Sequence, residues 1–429
     1  CLDPVDFGAV EGNPPDGRGE HWEGNTVAIQ TAIDTAGSAY AVDGGRHCVV
    51  IRGGDYVTAA IEFRSHVTLV VEADSRLLTA ANVTMPALLT GTGVDDIEIT
   101  GGGVVYGNAE YYISYYDPVD DRYEPIAADG GRPRNLEFFS STNIHVHNIR
   151  LENSSSWNAH FQGCANVTLH AVSIYGDWRF PNNDGIDPDS CINVTISNSN
   201  INTADDGVCP KSTEGFGPLR NLVVRNTTIR SKSHAIKFGS NTDTEMSDIL
   251  FENITIWDSN AGLSIQQRSG GDIHNVTYRN INVETRYVAP RWWGNGEWLS
   301  VTAEKRHPDD AIGRTYDLVF ENINAVTENG GLISGKLHGV QGLVMRNVNV
   351  ELAQWSNYST GAGPPCQHKT FEDTPDGANE MPCMGTQDHR PSYTEDHHCS
   401  YYCRTIAKAD GLYLENVHHA VLDRVAVTF

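Results

Sequence analysis

The sequence is poor in basic residues and has no long apolar run. Its 429 residues contain 30 Lys and Arg against 55 Asp and Glu, which gives a formal net charge of −25. Sequence-independent binding to nucleic acid and binding to anionic membrane surfaces both need clustered basic side chains, so this balance argues against both partners. No stretch approaches the roughly 18–20 apolar residues of a membrane-spanning helix. We therefore expect a soluble, acidic, folded protein.

The nine cysteines also lack the spacings of a zinc module. Cys399 and Cys403 form a C-x3-C pair, but no second pair accompanies it. In a secreted chain the simplest interpretation is disulfide bonds, four of these cysteines joining a loop-rich segment at 366–403. Eight N-x-S/T sequons suit a glycoprotein, although N-V-T and N-I-T also suit strands that follow an Asn turn. No signal peptide precedes Cys1, so we expect a processed N terminus and an extracellular location.

The most informative feature is a repeated unit in which Asn or Asp is followed by alternating apolar residues. It reads N-I-H-V-H-N-I from Asn143, N-V-T-L from Asn166 and N-V-T-I from Asn193. Between Asn143 and Asp272 successive units start 23, 27, 28, 27 and 24 residues apart. A period of this length indicates a solenoid, and the alternation indicates strands.

A repeat of this size fits one coil of three short strands, so we predict an all-β right-handed parallel β-helix as a single domain over 1–429. A β-propeller is the competing architecture, but its blades need roughly 40–50 residues. Coils should stack about 4.8 Å apart around Val and Ile, with a ladder of Asn side chains at the turns. In the cap region 1–50 we predict a helix over 25–36 with Asn25 or Thr26 as its N-cap, and this helix should cover the first coil. Its buried face should carry Ala28, Ile29, Ala32 and Ile33.

One part of the repeat is dense in carboxylates. Residues 182–190 read N-N-D-G-I-D-P-D-S, and residues 204–207 read A-D-D-G. Asp184 and Asp205 are 21 residues apart, close to one coil, so we expect Asp184 to lie within several Å of Asp205 and Asp206. Crowded like charges raise the pKa of at least one carboxyl and leave an acid beside ionised bases, as glycoside hydrolysis requires. A calcium site or a solvated acidic turn is the alternative.

At these residues the sequence resembles the polygalacturonase family, glycoside hydrolase family 28. The motif N-x-D-G-I-D-P-x-S is followed about 20 residues later by D-D-G-V-x-x-K-S, and N-S-S-S-W precedes His160 and Cys164. D-F-G-A-V at 6–10 resembles the family's entry strand, and the likeness covers roughly residues 1–350. The resemblance implies a pectin lyase-like β-helix that hydrolyses α-linked pectic sugars with inversion and without a metal or other cofactor.

The resemblance also implies a role for each acid. Asp205 matches the general acid that protonates the leaving glycosidic oxygen, and Asp184 and Asp206 match the pair that activates the hydrolytic water. Adjacent strand residues point to opposite faces, so Asp205 and Asp206 both reach the cleft only if the chain is distorted there. Gly207 would permit such a distortion.

Three more residues near the acids are predicted to touch substrate. Asn182 occupies the first position of its motif, where it would hydrogen-bond sugar or orient a carboxylate. His234 lies at the family's G-H-G histidine, with Ser233 and Ala235 as flanks here, and would tune Asp205. Lys237 is on the same predicted strand as His234.

The sequence departs from the family where polygalacturonases carry R-I-K to bind the galacturonate carboxylate. Residues 264–266 read S-I-Q, and losing both cations should cost several kcal/mol, at about 1.5–3 kcal/mol for each charged hydrogen bond. We predict that Gln266 still binds substrate at this position. Lys237 and Arg268 are also predicted to bind substrate, because either could replace the lost cations. Rhamnogalacturonan, a side-chain sugar or another plant-wall linkage is therefore expected rather than plain homogalacturonan.

Three segments break the period, at 106–135, 284–315 and 355–405. Insertions in a solenoid become loops and often build the binding face. Trp292 and Trp293 in the second insertion suit stacking on sugar rings, so we predict both as substrate-binding residues. The alternative is that these rings pack their loop onto the coils. Bulky loops beside a groove favour an exo-acting enzyme.

Two other functions fit the same architecture. A polysaccharide lyase would need Ca²⁺ or basic residues beside a uronate, and the missing Arg and Lys at 264 and 266 argue against it. A non-catalytic carbohydrate-binding solenoid would not need three crowded carboxylates. We therefore predict a monomeric glycoside hydrolase whose partner is a plant cell-wall polysaccharide or oligosaccharide.

Overall fold

The repeated units of the sequence are parallel strands in the computed structural model. It describes residues 1–12, 21–81, 83–118, 121–126, 131–288, 292–294, 296–303, 305, 311–335, 338–353 and 411–429. The chain divides into two compact units, Cys1–Ala204 and Asp205–Phe429. The fold is the predicted all-β right-handed parallel β-helix, whereas the prediction of a single domain stays a prediction. Among the described residues no helix has the length and apolar character needed to span a membrane.

The first unit contains two 3-10 helices, one long α-helix and seventeen strands in its described residues. The short helices are η1 (Pro4–Phe7) and η2 (Ala109–Tyr112), and the α-helix is α1 (Trp22–Asp43). The strands are β1 (His47–Ile51), β2 (Asp55–Thr58), β3 (Ile61–Glu62), β4 (Val67–Val71), β5 (Arg76–Thr79), β6 (Ala87–Thr92), β7 (Asp95–Thr100), β8 (Val104–Tyr106), β9 (Ile113–Asp117), β10 (Arg122–Pro125), β11 (Arg134–Phe139), β12 (Thr142–Glu152), β13 (Ala159–Gln162), β14 (Ala165–Tyr175), β15 (Ile186–Asp189), β16 (Ile192–Ser197) and β17 (Asn200–Thr203).

The second unit contains strands only, within the residues described for it. They are β18 (Leu219–Ser231), β19 (His234–Phe238), β20 (Met246–Ser259), β21 (Ala261–Gln267), β22 (Ile273–Thr285), β23 (Leu299–Ala303), β24 (Thr315–Thr327), β25 (Gly331–Ser334), β26 (Val340–Leu352), β27 (Leu412–Glu415), β28 (Val417–His418) and β29 (Val421–Thr428). Each unit has its own five-stranded parallel sheet of short strands, β3-β6-β11-β13-β15 in the first and β19-β21-β23-β25-β27 in the second. We call each of these a short-strand sheet.

The long strands carry the repeat and form the walls of the core. In the second unit β18, β20, β22, β24 and β26 pair in parallel, and their alternating Val, Ile, Leu and Phe side chains are fully or nearly fully buried. The predicted Asn ladder is present in both units. The Asn166 amide donates to Asn143 at 3.0 Å, and the Asn253 amide donates to Asn226 at 3.2 Å. These Asn residues adopt positive φ, which Asn tolerates better than most residues.

Helix α1 confirms the predicted buried face but is longer than predicted. Ala28, Ile29, Ala32 and Ile33 are all at most 2% exposed. The helix begins at Trp22, so Asn25 lies inside it rather than at its N-cap, and the Asn25 side chain bonds the backbone of Val10 and Val57. It ends at Asp43, where Gly44 takes the left-handed conformation at φ 71° that favours glycine.

Two of the nine cysteines form a disulfide, Cys1–Cys48. Cys164, Cys191 and Cys209 are buried and are not joined in a disulfide. The four cysteines predicted to join the 366–403 segment, and the insertion at 355–405 itself, lie outside the described residues. The insertion at 106–135 includes η2 and an antiparallel hairpin of β9 and β10.

Candidate active site

Asp205 and Asp206 lie in a bend that interrupts the strand pattern of the second unit. Residues 204–207 are not in a strand, and the two carboxylic acids are 5% and 1% exposed. The Asp206 backbone N–H donates to Asp205 Oδ1 at 2.8 Å, and Ser231 Oγ donates to the Asp205 carbonyl at 2.7 Å. The predicted distortion beside Gly207 is therefore confirmed.

The Asp206 carboxylate is surrounded by hydrogen-bond donors. Lys237 Nζ lies 2.9 Å from Oδ2, Ser233 Oγ donates to Oδ1 at 3.1 Å, and His234 Nδ1 lies 3.4 Å from Oδ1. Lys237 and His234 are both on β19, as predicted, and are 5% and 0% exposed. The contact places His234 against Asp206, and its influence on Asp205 stays a prediction.

These contacts determine the charge of Asp206. Burial acts to raise the pKa of this carboxyl, but the Lys237 ammonium and then the His234 imidazole outweigh that effect. The pKa of Asp206 therefore lies well below its ordinary range. Asp206 is therefore ionised at neutral pH, as a base that activates water must be.

Gly207 is required by close packing rather than by an unusual φ. A Cβ at this position would lie 2.6 Å from the Ala235 carbonyl oxygen and closer still to Ile229 Cγ2. The Ala235 carbonyl cannot move away freely, because it accepts the backbone hydrogen bond of Val208 at 3.0 Å.

We expect Gly207→Ala to lower the free energy of unfolding by about 1–3 kcal/mol, the usual cost of overpacking. Denaturant titration followed by circular dichroism measures this loss. Gly24→Ala is the matched control, because Gly24 lies in α1 with no atom within 4 Å of an added Cβ. An alanine there should be neutral or slightly stabilising, and equal effects of the two variants would contradict the packing argument.

Asp184 and its neighbours belong to the first unit. Asp184 is 3% exposed, and its carbonyl accepts hydrogen bonds from the backbone and the side chain of Asn158, at 2.7 and 3.0 Å. Asn182 Oδ1 accepts a hydrogen bond from the buried guanidinium of Arg132 at 2.9 Å. Asn182 is thus held by Arg132, and its predicted contact with sugar stays a prediction. The predicted approach of Asp184 to the other two acids also stays a prediction.

A second buried polar cluster, which the sequence reasoning missed, lies on the short-strand sheet of the first unit. His160 Nδ1 is 3.2 Å from Glu137, and its Nε2 is 3.6 Å from Asp189. Burial acts to lower the pKa of His160, but the bonds to Asp189 and Glu137 outweigh it and raise that pKa. Glu137, His160 and Asp187 share one register position on adjacent strands. Their spacings of 23 and 27 residues equal single coil steps, a signal that could have revealed the cluster.

The short-strand sheet of the second unit continues from Lys237 into β21. Ser264 is the register partner of Lys237, and its Oγ accepts a hydrogen bond from Ser300 Oγ at 2.8 Å. Gln266 is fully buried and Arg268 is 5% exposed. A role for Gln266 in binding substrate stays a prediction.

Trp292 and Trp293 do not present open ring faces. They are 1% and 4% exposed, and their rings meet edge to face with centroids 6.2 Å apart. Lys232 Nζ lies 4.5 Å from the centroid of the Trp292 ring. This burial favours the alternative, in which both rings pack their insertion against the coils, and a role for Trp292 and Trp293 in sugar stacking stays a prediction.

Within the described residues of either unit taken alone, no three His, Cys, Asp or Glu ligand atoms lie within 4.8 Å of one another. A calcium site at the acidic turn, the alternative interpretation of these carboxylates, stays a prediction.

The comparison with known proteins agrees with the motifs. The family model of the glycosyl hydrolases family 28 matches residues 50–359, well over half of the chain. The chain belongs to this family. Membership in glycosyl hydrolase family 28 makes the protein a glycoside hydrolase, as the crowded acids predict.

Individual relatives of this family 28 member are distant. The chain is 27% identical to a probable polygalacturonase of Vitis vinifera, over 91% of this chain and 81% of the relative. It is 26% identical to an endo-polygalacturonase of Pectobacterium carotovorum subsp. carotovorum, over 58% of this chain and 61% of that relative. An exopolygalacturonase structure from Thermotoga maritima superposes with a TM-score of 0.67 at 18% identity, covering 82% of this chain and 87% of that one. The last similarity concerns the fold.

Proposed function

We propose that this protein hydrolyses an α-linked pectic polysaccharide with inversion at the anomeric carbon. Asp205 is the general acid for the leaving oxygen, and Asp184 and Asp206 activate the water. The observation that carries the proposal is the buried bend in which Asp205 and Asp206 are adjacent, with Asp206 held ionised by Lys237. A fixed anion next to a second carboxylic acid is the arrangement that acid–base hydrolysis of a glycoside needs.

The partner we propose is plant cell-wall polysaccharide or its oligosaccharides, which the protein meets outside the cell as a monomer. The names of the relatives support a pectic substrate. The Cys1–Cys48 disulfide supports an oxidising compartment. Exo action is part of the proposal because insertions interrupt the repeat at three places.

Time-resolved proton NMR on pectic oligosaccharides tests linkage, stereochemistry and site of attack together. The panel comprises oligogalacturonides, rhamnogalacturonan fragments and neutral side-chain oligosaccharides. Inversion of an α-linkage should release the β-anomer first, before mutarotation mixes the two forms. Exo action should yield one product size from the first minutes.

Three results would contradict the proposal. An α-anomer as first product would indicate retention, and unsaturated uronides that absorb in the ultraviolet would indicate a lyase. Binding of an oligosaccharide without turnover would indicate a carbohydrate-binding solenoid.

A further inference from the structure

Cys209 and Lys211, two buried side chains of the second unit that the proposed mechanism does not use, lie in direct contact. They are 0% and 6% exposed, and Lys211 Nζ is 2.8 Å from Cys209 Sγ. Hydrogen bonds between nitrogen and oxygen already span about 2.7–3.2 Å. Sulfur is a larger atom than oxygen, so this nitrogen–sulfur contact is shorter than an ordinary hydrogen bond requires.

One carbonyl group and the neighbouring backbone hold the two side chains together. Cys209 Sγ donates to the Gly239 carbonyl at 3.0 Å, and Lys211 Nζ donates to the same oxygen at 3.3 Å. Pro210, which lies between them in the sequence, has a fixed φ, and its carbonyl accepts the Gly239 N–H at 2.9 Å. The thiol and the amine are therefore fixed side by side.

The ammonium of Lys211 makes the Cys209 sulfur more reactive toward oxidants. A positive charge nearby stabilises the thiolate, which is the form that oxidants attack, and an oxidised sulfur then reacts with a nucleophile within reach. Within the part of the chain that the structure describes, Cys209 is the only cysteine of the second unit. The partner in contact with its sulfur is thus a nitrogen and not a second thiol.

We propose that dioxygen joins Cys209 to Lys211 through one oxygen atom, as a covalent Sγ–O–Nζ bridge. One thiol, one amine and one molecule of dioxygen give one S–O–NH bridge and one water. The S–H bond and one N–H bond break, the S–O and O–N bonds form, and both hydrogens leave in the water. Sulfur and nitrogen lose two electrons each, and dioxygen takes up all four.

The geometry favours this bridge over a direct bond between sulfur and nitrogen. Atoms 2.8 Å apart are separated by about the span of two bonds that share a central atom, so one oxygen fits between them with little movement. A direct S–N bond would need the two atoms to approach much further, against the hydrogen bonds that both make to the Gly239 carbonyl.

The bridge would form next to the proposed base of the reaction, because Cys209 Sγ lies 3.5 Å from Asp206 Oδ2. A nitrogen bonded to oxygen is a much weaker base than an alkyl amine. Formation of the bridge therefore removes the positive charge of Lys211 and couples the oxidation state of the protein to the electrostatics around Asp206. The bridge itself does not depend on the proposed function.

Mass spectrometry of the full chain tests for the bridge. One portion of the protein is kept under nitrogen with dithiothreitol, a second is incubated in oxygen-saturated buffer, and both are digested with trypsin in the absence of reductant. Residues 180–220 form a peptide in which Lys211 is the single internal trypsin site. In the oxidised portion this site should resist cleavage, and the peptide should gain one oxygen and lose two hydrogens. Dithiothreitol should reverse both changes.

The same peptide contains a control cysteine. Cys191 is as fully buried as Cys209, but its sulfur bonds the carbonyls of Phe161 and Asp189. Fragmentation of the oxidised peptide should show Cys191 unmodified and should give no backbone fragments between Cys209 and Lys211, which the bridge joins in a ring. Lys211→Arg keeps the positive charge but removes the amine, so its peptide should not show the change in mass.

Any of four results overturns the inference. They are full cleavage at Lys211 in the oxidised portion, a gain of oxygen without loss of hydrogen, a loss of two hydrogens without oxygen, and the bridged mass in Lys211→Arg. The second would indicate a sulfur oxyacid and the third a direct S–N bond. Should Lys211→Arg not fold, the masses of the wild-type peptide decide.

Discussion

Asp205→Asn should lower kcat by about 10²–10⁴-fold, the range that general acid catalysis contributes. The amide has the same shape and can still accept the hydrogen bond from the Asp206 N–H, so the fold should persist. It cannot deliver a proton to the glycosidic oxygen. Steady-state kinetics on the best pectic substrate measure the loss, and circular dichroism confirms the fold.

The leaving group separates an acid role from a base role. A substrate with an acidic phenol as leaving group needs little protonation, so Asp205→Asn should lose much less activity on it. An equal loss on both substrates would contradict the assignment of Asp205 as acid. Asp317→Asn provides the matched control, because Asp317 is an exposed residue of β24, and its kcat should equal that of the wild type.

Asp206→Asn should lower the free energy of unfolding by about 3–5 kcal/mol in addition to abolishing activity, because removal of one member of a buried ion pair strands the other. The stranded group is the ammonium of Lys237, a residue that is 5% exposed and whose Nζ lies 2.9 Å from Asp206 Oδ2. Urea titration of both proteins at neutral pH measures the difference.

The double variant Asp206→Asn/Lys237→Met is the control for that result. It removes both charges, so it should recover most of the lost stability. If the single variant costs less than about 1 kcal/mol, or if the double variant is no more stable than the single one, Lys237 and Asp206 do not form the coupled pair described above.

The stability that the Asp206–Lys237 ion pair contributes should decrease at acidic pH. The pKa of Asp206 in the folded protein is lowered, so the unfolded state binds more protons than the folded state near pH ~4, the ordinary pKa of an aspartate. The contribution is therefore complete above that pH. The contribution is lost as the pH falls from the pKa of Asp206 in the unfolded state toward its lower pKa in the folded state. The difference in the free energy of unfolding between wild type and Asp206→Asn should shrink over the same range.

The fold could be predicted because its determinants repeat along the chain. Each coil step brings another Asn turn and another set of alternating apolar residues, and strands such as β20 and β22 pair where those repeats align. The length of α1 was missed for a local reason. Its apolar face ends near Ala36, whereas the helix continues until the Gly44–Gly45 pair, and Asn25 serves a tertiary contact rather than a cap.

The candidate site could be predicted in its members but not in its electrostatics. Spacing and motifs identified Asp205, Asp206 and Lys237, yet the contact of Lys237 with Asp206 depends on the bend at 204–207. The period of the sequence repeat predicts strands and does not reveal such a bend. Crowded carboxylates predict one protonated acid beside ionised bases, and the lowered pKa of Asp206 agrees with its assignment as a base, but the ammonium that lowers this pKa is not evident from spacing. The burial of Trp292 was also beyond reach, because composition does not distinguish a packed indole from an open one.

The three buried thiols provide an internal probe of local opening. Cys164 and Cys191 lie in the first unit and Cys209 lies in the second, each at most 1% exposed. An alkylating reagent in solution meets these sulfur atoms only when the surrounding coils separate. Peptide mapping after timed alkylation can therefore assign an opening rate to each half of the chain without any engineered label.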